Sequence, residues 1–376
     1  MEYLVSAADR AAFKRCRRQW DFTATARRCL RPVRRTTYDL DRALRDALAV
    51  YYFPGMWDWD AAIVLPLVTK ALDNALGRQR EAFSGDPPDG QAALARAHLL
   101  LERYFSWAPT VDRFSPIRVE TDFDAIVPDP ADPEHGLVSP DGGGIHYTGR
   151  IDLLAIDEYD RYWVVRHRVL DEPFPSMEQL VLEEDSVAAC WAWGRFYDGM
   201  EVAGTIYNEL SSRIAEDLPR NRLVSERRRG GIPQHEPSGG GRGVSSPRRI
   251  YVKGRPAETA DRISHIEGNG LRRTIIRRNI DEIRAAGAQL AGEILDMVHS
   301  DLRVYPNPAS AHCSACAFVA PCLAVHENRD VEPILEADYR KRPAIEIERG
   351  RLGGTPFRSR PRLGPWERGR GVDKAT

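Results

Sequence analysis

"YTGRIDLLAIDEYDRYWVVRHRVL", Tyr147–Leu170, decides how the chain is read. Two runs rich in Tyr, Trp, Val, Ile and Leu flank a short polar stretch. The pattern predicts two adjacent strands, 145–157 and 161–169. Each carries charge where burial is expected. Asp152 stands between apolar neighbours on the first, and Arg166, His167 and Arg168 form a cationic run on the second. An unpaired charge on a buried strand is costly. These side chains therefore either find partners, reach solvent at the strand ends, or mark a site.

Working outward, a further strand is expected at 116–127, joined to the first by the Pro-, Asp- and Gly-rich connection 128–144. Helices are expected at 6–30, with Ser6 as N-cap, and at 40–52 and 91–107. A helix at 178–198 and a strand at 201–210 follow. The centre therefore runs β-β-β-α-β, which predicts a mixed α/β (α+β) fold with helices flanking a mixed sheet. Two short β-like pieces, 249–253 and 271–277, precede a helix at 279–298. The expected organisation is a helical N-terminal region 1–110, a core 111–211, a flexible Gly/Pro/Arg-rich insertion 212–247, a segment 248–340 that completes the sheet and carries a cysteine cluster, and a disordered basic tail 341–376.

The chain has 376 residues, 42% of them hydrophobic, and a formal charge of -1. That near-neutral sum hides blocks: arginine is dense from Arg10 to Arg35, from Arg227 to Arg278 and from Arg340 to Arg370, while Asp122–Asp185 is acidic. Such polarity suits a polyanion, and "RRTIIRR" offers Arg272, Arg273, Arg277 and Arg278 as DNA contacts. A background preference for arginine over lysine, which occurs only at Lys14, Lys70, Lys253, Lys341 and Lys374, gives a plainer account of the same counts. No apolar run is long enough to span a bilayer, and the N-terminus lacks a signal-peptide core. A cytoplasmic protein without membrane contact is expected.

The strongest local signal is "YPNPASAHCSACAFVAPC", Tyr305–Cys322, with Cys313, Cys316 and Cys322 in a C-x2-C-x5-C spacing. Thiols this close can converge on one metal centre, with Cys16 in "FKRCRRQW" as the best fourth ligand and His312 or His326 ranked below it. Four thiolates support either a tetrahedral zinc or an iron–sulfur cluster, and spacing leaves both open. Either would tie the two ends of the chain together, so that ligation energy becomes folding energy. Cys29 and Cys190 are expected in the core as small apolar residues.

"CRRQW", "GRID" and the closing cysteine motif, taken in that order, resemble the RecB-like exonucleases of the PD-(D/E)XK superfamily, in the branch that carries an iron–sulfur cluster. Phage-borne and CRISPR-associated exonucleases belong to it. "VAGTIYNEL", "LRRTIIRRN" and "ILEADYRKR" are similar to the phage-type members, and the resemblance covers roughly residues 3–340. It implies a restriction-endonuclease-like core and a [4Fe–4S] cluster on Cys16, Cys313, Cys316 and Cys322. It also implies DNA cleavage with Mg2+ or Mn2+ held by acids on neighbouring strands, where the metal activates water and a lysine steadies developing charge.

The residues depart from that pattern. Asp152 matches the first acid and Glu120 in "VETDF" survives. Arg166 stands at the second metal-binding acid and Arg168 at the lysine. Asp41 and Arg45 stand at the places of a Gly-x-x-x-His helix, and Ser186 and Cys190 at those of a Gln-x-x-x-Tyr helix. A fixed guanidinium where a dication belongs reverses the sign of the site. The expectation is a catalytically degenerate, DNA-binding, cluster-bearing relative of these nucleases, with Arg166 filling the metal position and pairing with Asp152. An active metal-dependent exonuclease with a rearranged site is one alternative. A cluster-bearing structural or redox-responsive partner protein without a nucleic-acid role is the other. A helicase or recombination partner is left open.

Overall fold

The computed structural model describes residues 2–33, 37–81, 83, 90–132, 134–171, 173–197, 200–213 and 262–342. Their strands are β1 (Tyr3–Val5), β2 (Leu30–Pro32), β3 (Phe114–Ile126), β4 (Ile145–Asp157), β5 (Tyr162–Leu170), β6 (Val202–Ser211), β7 (Ile263–Gly268), β8 (Leu271–Arg277) and β9 (Tyr339–Lys341). The helices are α1 (Ala7–Arg15), α2 (Arg17–Thr23), α3 (Leu40–Tyr51), α4 (Ala61–Glu81), α5 (Gly90–Val111), α6 (Met177–Val181), α7 (Glu184–Phe196), α8 (Ile280–Val298), α9 (Ser310–Cys313), α10 (Val319–His326) and α11 (Glu332–Asp338). The expected strand 249–253, the insertion from residue 214 onward and the tail from residue 343 lie outside the described residues.

The fold is the expected mixed α/β class. The main sheet has seven strands in the order β1-β4-β5-β6-β8-β7, with β3 on the other edge of β4. β3 runs antiparallel to β4 along most of its length, β5 antiparallel to β4, and β6 parallel to β5. Leu44, Leu48, Val68, Leu72, Leu100 and Leu101 of α3, α4 and α5 pack on one face, against Leu153, Ala155, Trp163 and Val165. Trp191, Trp193, Ile283, Leu290 and Ile294 of α7 and α8 pack on the other, against Tyr147, Ile151, Leu154 and Val164. Fully burying a side chain such as Leu72 contributes roughly 1.5–3 kcal/mol. The close approach of α8 to α7 requires a glycine, because a Cβ at Gly287 would lie 2.2 Å from Nε1 of Trp191.

Several expectations are corrected. The helix expected over 6–30 does form behind a Ser6 capping box, but it breaks at Cys16, whose backbone is extended at φ -161, ψ 110. The helix expected over 178–198 is two helices, since Leu182 and Glu183 leave the helical path between α6 and α7. The long helix α4 was not foreseen, although Val64, Val68, Leu72 and Leu76 recur at helical spacing and are all buried. Strand β7 was also missed. Its hairpin to β8 turns at Asn269–Gly270, both at positive φ, the local chemistry a two-residue turn demands.

Two features of β4 position the first candidate site. Its pairing with β5 runs only from Leu153↔Val165 to Ile156↔Tyr162, and the same edge is taken at the other end by β1, from Tyr3↔Ile145 to Val5↔Tyr147. Between them the edge is open. In addition, Tyr147 and Ile151 face one core while Leu153 and Ala155 face the other, so the side-chain alternation shifts at Asp152.

Candidate functional site

Where β4 and β5 part, Asp152 is buried at 8% exposure. Its Oδ2 accepts the backbone N–H of His167 at 2.7 Å, a donor that strand pairing would otherwise have used. Its Oδ1 lies 3.6 Å from Nη1 of Arg45, which also holds Asp41 at 2.9 Å. Asp41 in turn accepts the backbone N–H of Val169 at 2.8 Å. On β3, Glu120 sits opposite Asp152 between the pairs Val119↔Leu153 and Thr121↔Ile151. Its backbone adopts φ 43 and its carboxylate meets Arg150 at 3.2 Å. Burial and then the nearby Asp152 charge push the Glu120 carboxyl up, against the pull of Arg150.

The cationic run on β5 divides between the two faces of the sheet, as strand geometry requires. His167 points toward α3 and α5, stacks on Tyr52 at 5.5 Å, and meets the Asn208 amide at 3.1 Å. Burial, then Arg273 and Arg45, lower it to about 3, so it is neutral at ordinary pH. Arg166 and Arg168 point to the opposite face. Arg166 donates to Ser186 Oγ at 3.2 Å, and Ser186 donates to Glu183 at 3.0 Å. Arg168 pairs with Glu183 and lies 4.7 Å above the Tyr207 ring. Burial works to raise the Glu183 carboxyl, but Arg168 and Arg166 together hold it below its ordinary value.

The expected pairing of Arg166 with Asp152 is not a direct ion pair, although the Asp152 charge, after that of Glu183, acts on the Arg166 guanidinium. Arg45 of α3 takes Asp152, because the parting of the strands directs Asp152 toward that helix. Glu183, which begins the turn into α7, takes the charge of Arg168 on the other face. Cys190 is buried beside Thr205, with its thiol pushed up to about 11 by burial. Every acid at the strand split has a cationic or backbone donor as its partner.

The four arginines expected to contact DNA are placed differently. Arg272 is 4% exposed and pairs with Glu209 at 2.7 Å; Arg273 is 2% exposed and holds Asp112 and the Asn208 side chain. Arg278 is 6% exposed and caps the α6 carbonyls of Leu180 and Val181 while pairing with Glu282. Arg277 is half-buried at the end of β8. Arg272 and Arg273 of β8 are enclosed by Glu209 and Pro175 and by Asp112 and Asn208, and Arg278, just past the strand, by the end of α6. They tie strands to helices and do not present charge to a phosphate.

The second candidate site joins the two ends of the described chain. Cys16, at the break between α1 and α2, and Cys313, Cys316 and Cys322 line one cavity of about 370 Å3. Phe22, Phe318, Val319 and Leu323 supply its apolar wall, and Arg18, His312 and His326 its nitrogen groups; no Asp or Glu lines it. Asn307 fastens Cys16 in place: its backbone N–H donates to the Cys16 thiol at 3.4 Å and its amide to the carbonyl of Arg15 at 2.9 Å. The N–H of Phe318 donates to the Cys316 thiol, also at 3.4 Å. Burial pushes the Cys316 thiol up, against the pull of the Phe318 N–H, and the other three thiols add to the rise. Among the described residues no group of three or more His, Cys, Asp or Glu is drawn in closely enough to hold a single metal ion. Sequence reasoning found all four cysteines and singled out Asp41 and Asp152, and missed Asn307 and Arg18, which carry no motif.

Next to that cavity lies a second, open one of about 330 Å3, lined by Phe13, Lys14, Arg15, Cys16, Arg17, Tyr305 and Asn307. Arg17 is held between the rings of Phe13 and Tyr305, at 5.1 and 5.0 Å, and Tyr305 is 51% exposed. Lys14 pairs with Glu184 and Glu293. Among the described residues no helix is long and apolar enough to cross a membrane. No family model matches the chain, and no curated protein is similar to it.

Proposed function

We propose that this chain is an iron–sulfur protein built on a nuclease-like sheet that has given up metal-dependent cleavage and kept contact with DNA. The observation that carries it is the meeting of Cys16 with Cys313, Cys316 and Cys322 in one cavity, across nearly the whole described chain. Four thiols line the cavity and two backbone N–H groups already point at sulfur, an environment suited to thiolates bound to iron. A zinc ion would draw four sulfurs to about 2.3 Å from one point. A cavity of about 370 Å3 leaves the larger room that a cluster needs. When bound, the cluster supplies cross-linking energy and a one-electron couple. Cys16 and the C-terminal thiols hold it, Asn307 orients Cys16, and Phe22 and Phe318 exclude water.

Loss of cleavage follows from the charges at the strand split. Mg2+ needs oxygen ligands around an open position. Asp152 instead holds Arg45 and a backbone N–H, and Glu183 holds Arg168. A dication entering there would have to displace guanidinium groups that cannot be neutralised.

Contact with DNA moves from β8 to the N-terminal surface. Arg15 is exposed, and Arg17 is held rigid between two rings with no ion pair of its own among the described residues. A cation beside an exposed aromatic ring suits a phosphodiester with a stacked base.

The test is one preparation measured three ways. Anaerobically purified full chain should contain iron and acid-labile sulfide near cluster stoichiometry, and stoichiometric zinc without iron would refute the cluster. It should leave labelled DNA intact with Mg2+ or Mn2+. It should bind a single-stranded oligonucleotide with steep salt dependence, weakened in R15Q/R17Q with a smaller salt slope. No binding to single or double strands at low salt would favour a partner-protein role instead.

A further inference from the structure

Two nitrogen atoms in the thiol cavity are shielded from solvent and have no hydrogen-bond partner: Nη1 of Arg18 and Nδ1 of His312. Both residues line the cavity together with the four cysteines. The case of Arg18 is the sharper one. Arg45, Arg278 and Arg342 each bury an Nε without a partner, yet their other nitrogens hold acceptors: Asp41, Glu282 and the carbonyl of Thr23. Arg10 and Arg272, buried in the core, hold Glu293 and Glu209, each at 2.7 Å. For the Arg18 guanidinium no acceptor is found among the described residues. A buried charged donor without an acceptor is unfavourable, more so than a neutral one. Arg10 and Arg272 meet that demand with carboxylates, whereas the cavity beside Arg18 presents four thiols and no carboxylate.

We propose that Arg18 is the counter-charge of the thiolate centre and sets its reduction potential. This rests on the cluster reading above. Four thiolates around a [4Fe–4S]2+ core leave a net double negative charge, and one-electron reduction adds a third. No bond forms or breaks and no proton is taken up; the electron comes from a one-electron donor of the dithionite class. A fixed cation on the wall of the cavity favours the more negative form, so Arg18 raises the potential. The Asn307 and Phe318 N–H groups act in the same direction but belong to the backbone and stay in place when Arg18 is changed. Arg18 is separate from Arg17, which faces the open cavity between Phe13 and Tyr305.

The experiment is a mediated potentiometric titration of the anaerobically purified full chain, read by electron paramagnetic resonance, for wild type, R18Q and R18K, with iron counted in each. R18Q should hold the same iron and show about a tenfold lower ratio of reduced to oxidised cluster at fixed potential, roughly 59 mV for one electron. R18K keeps the charge and should fall between the two. A wild-type centre with iron and an R18Q potential equal to it would overturn the role of Arg18 and leave the cluster standing. A centre that holds zinc and shows no redox wave would overturn both. If R18Q purifies without iron, retention of iron by R18K supports the electrostatic role. Loss of iron in both variants assigns Arg18 to folding and overturns it.

Discussion

The strand split and the thiol cavity are both rich in arginine or histidine, and they are electrically opposite. At the split, Asp41, Asp152, Glu120 and Glu183 stand against Arg45, Arg150, Arg166 and Arg168, and each acid has a partner on a neighbouring element. In the cavity, Arg18, His312 and His326 face four thiols and no carboxylate. The first region balances its charges internally and offers a metal ion nothing free. On the proposed reading, ligation of a cluster would deprotonate the thiols of the second and balance its cations. One region pairs its charges internally, while the other gathers four thiols beside cations.

The comparison can be broken at several points. The largest effect is expected at Cys16. C16S should lose iron and much of the tie between the chain's ends, with a large fall in thermal midpoint and in iron per chain. C29S, which alters a thiol outside the cavity, should change neither much. Next comes R272A, which strands Glu209, a carboxylate with 0% exposure. Breaking such a buried pair costs about 3–5 kcal/mol, and urea unfolding should show it. A loss of DNA affinity without loss of stability would instead return Arg272 to the DNA surface.

A smaller effect is expected for D152A. It frees a backbone N–H and one side of Arg45, whose side chain is 36% exposed and partly screened by water. The cost should be about 1–3 kcal/mol, again read by urea. Neither Mg2+ nor Mn2+ should raise the wild-type midpoint, since a ligand stabilises only what it binds. Metal-dependent cleavage by clean wild type, abolished in D152A, would overturn the closed-site reading.

The most specific effect concerns pH. His167 is lowered from 6.5 to about 3 in the fold. Its contribution is present above the unfolded value and is lost as pH falls from about 6.5 toward 3, because the unfolded chain then binds a proton that the fold refuses. The slope is about 1.4 kcal/mol per pH unit for one group. H167N should flatten stability between pH 6 and 4 by close to one proton. An unchanged slope would mean that His167 is charged inside the fold.

Much of the architecture was legible along the chain. Alternating apolar runs located β3, β4, β5, β6 and β8, because a half-buried strand has a period of two residues wherever it lies. Ser6 marked the start of α1 through its own side-chain chemistry. The clustering of Cys313, Cys316 and Cys322 within one short segment marked the second site, and the charges of Asp152, Arg166 and Arg168 on apolar strands marked the first. Helix α4 and the Asn269–Gly270 hairpin were equally legible from local pattern and were passed over.

Partners were not legible, because pairing depends on which face of which element meets another. Arg166 was expected on Asp152, its neighbour across two strands. The parting of β4 from β5 turned Asp152 toward α3 and Arg45, while the alternation of β5 sent Arg166 and Arg168 to Ser186 and Glu183 on the other face. The arginines of β8 read as a basic stripe along the chain, yet flanking strands and helices enclose Arg272, Arg273 and Arg278 and match them with Glu209, Asp112 and Glu282. Local spacing fixes periodicity and motif. Burial, and with it the difference between a solvated arginine and a structural one, is set only when distant elements pack.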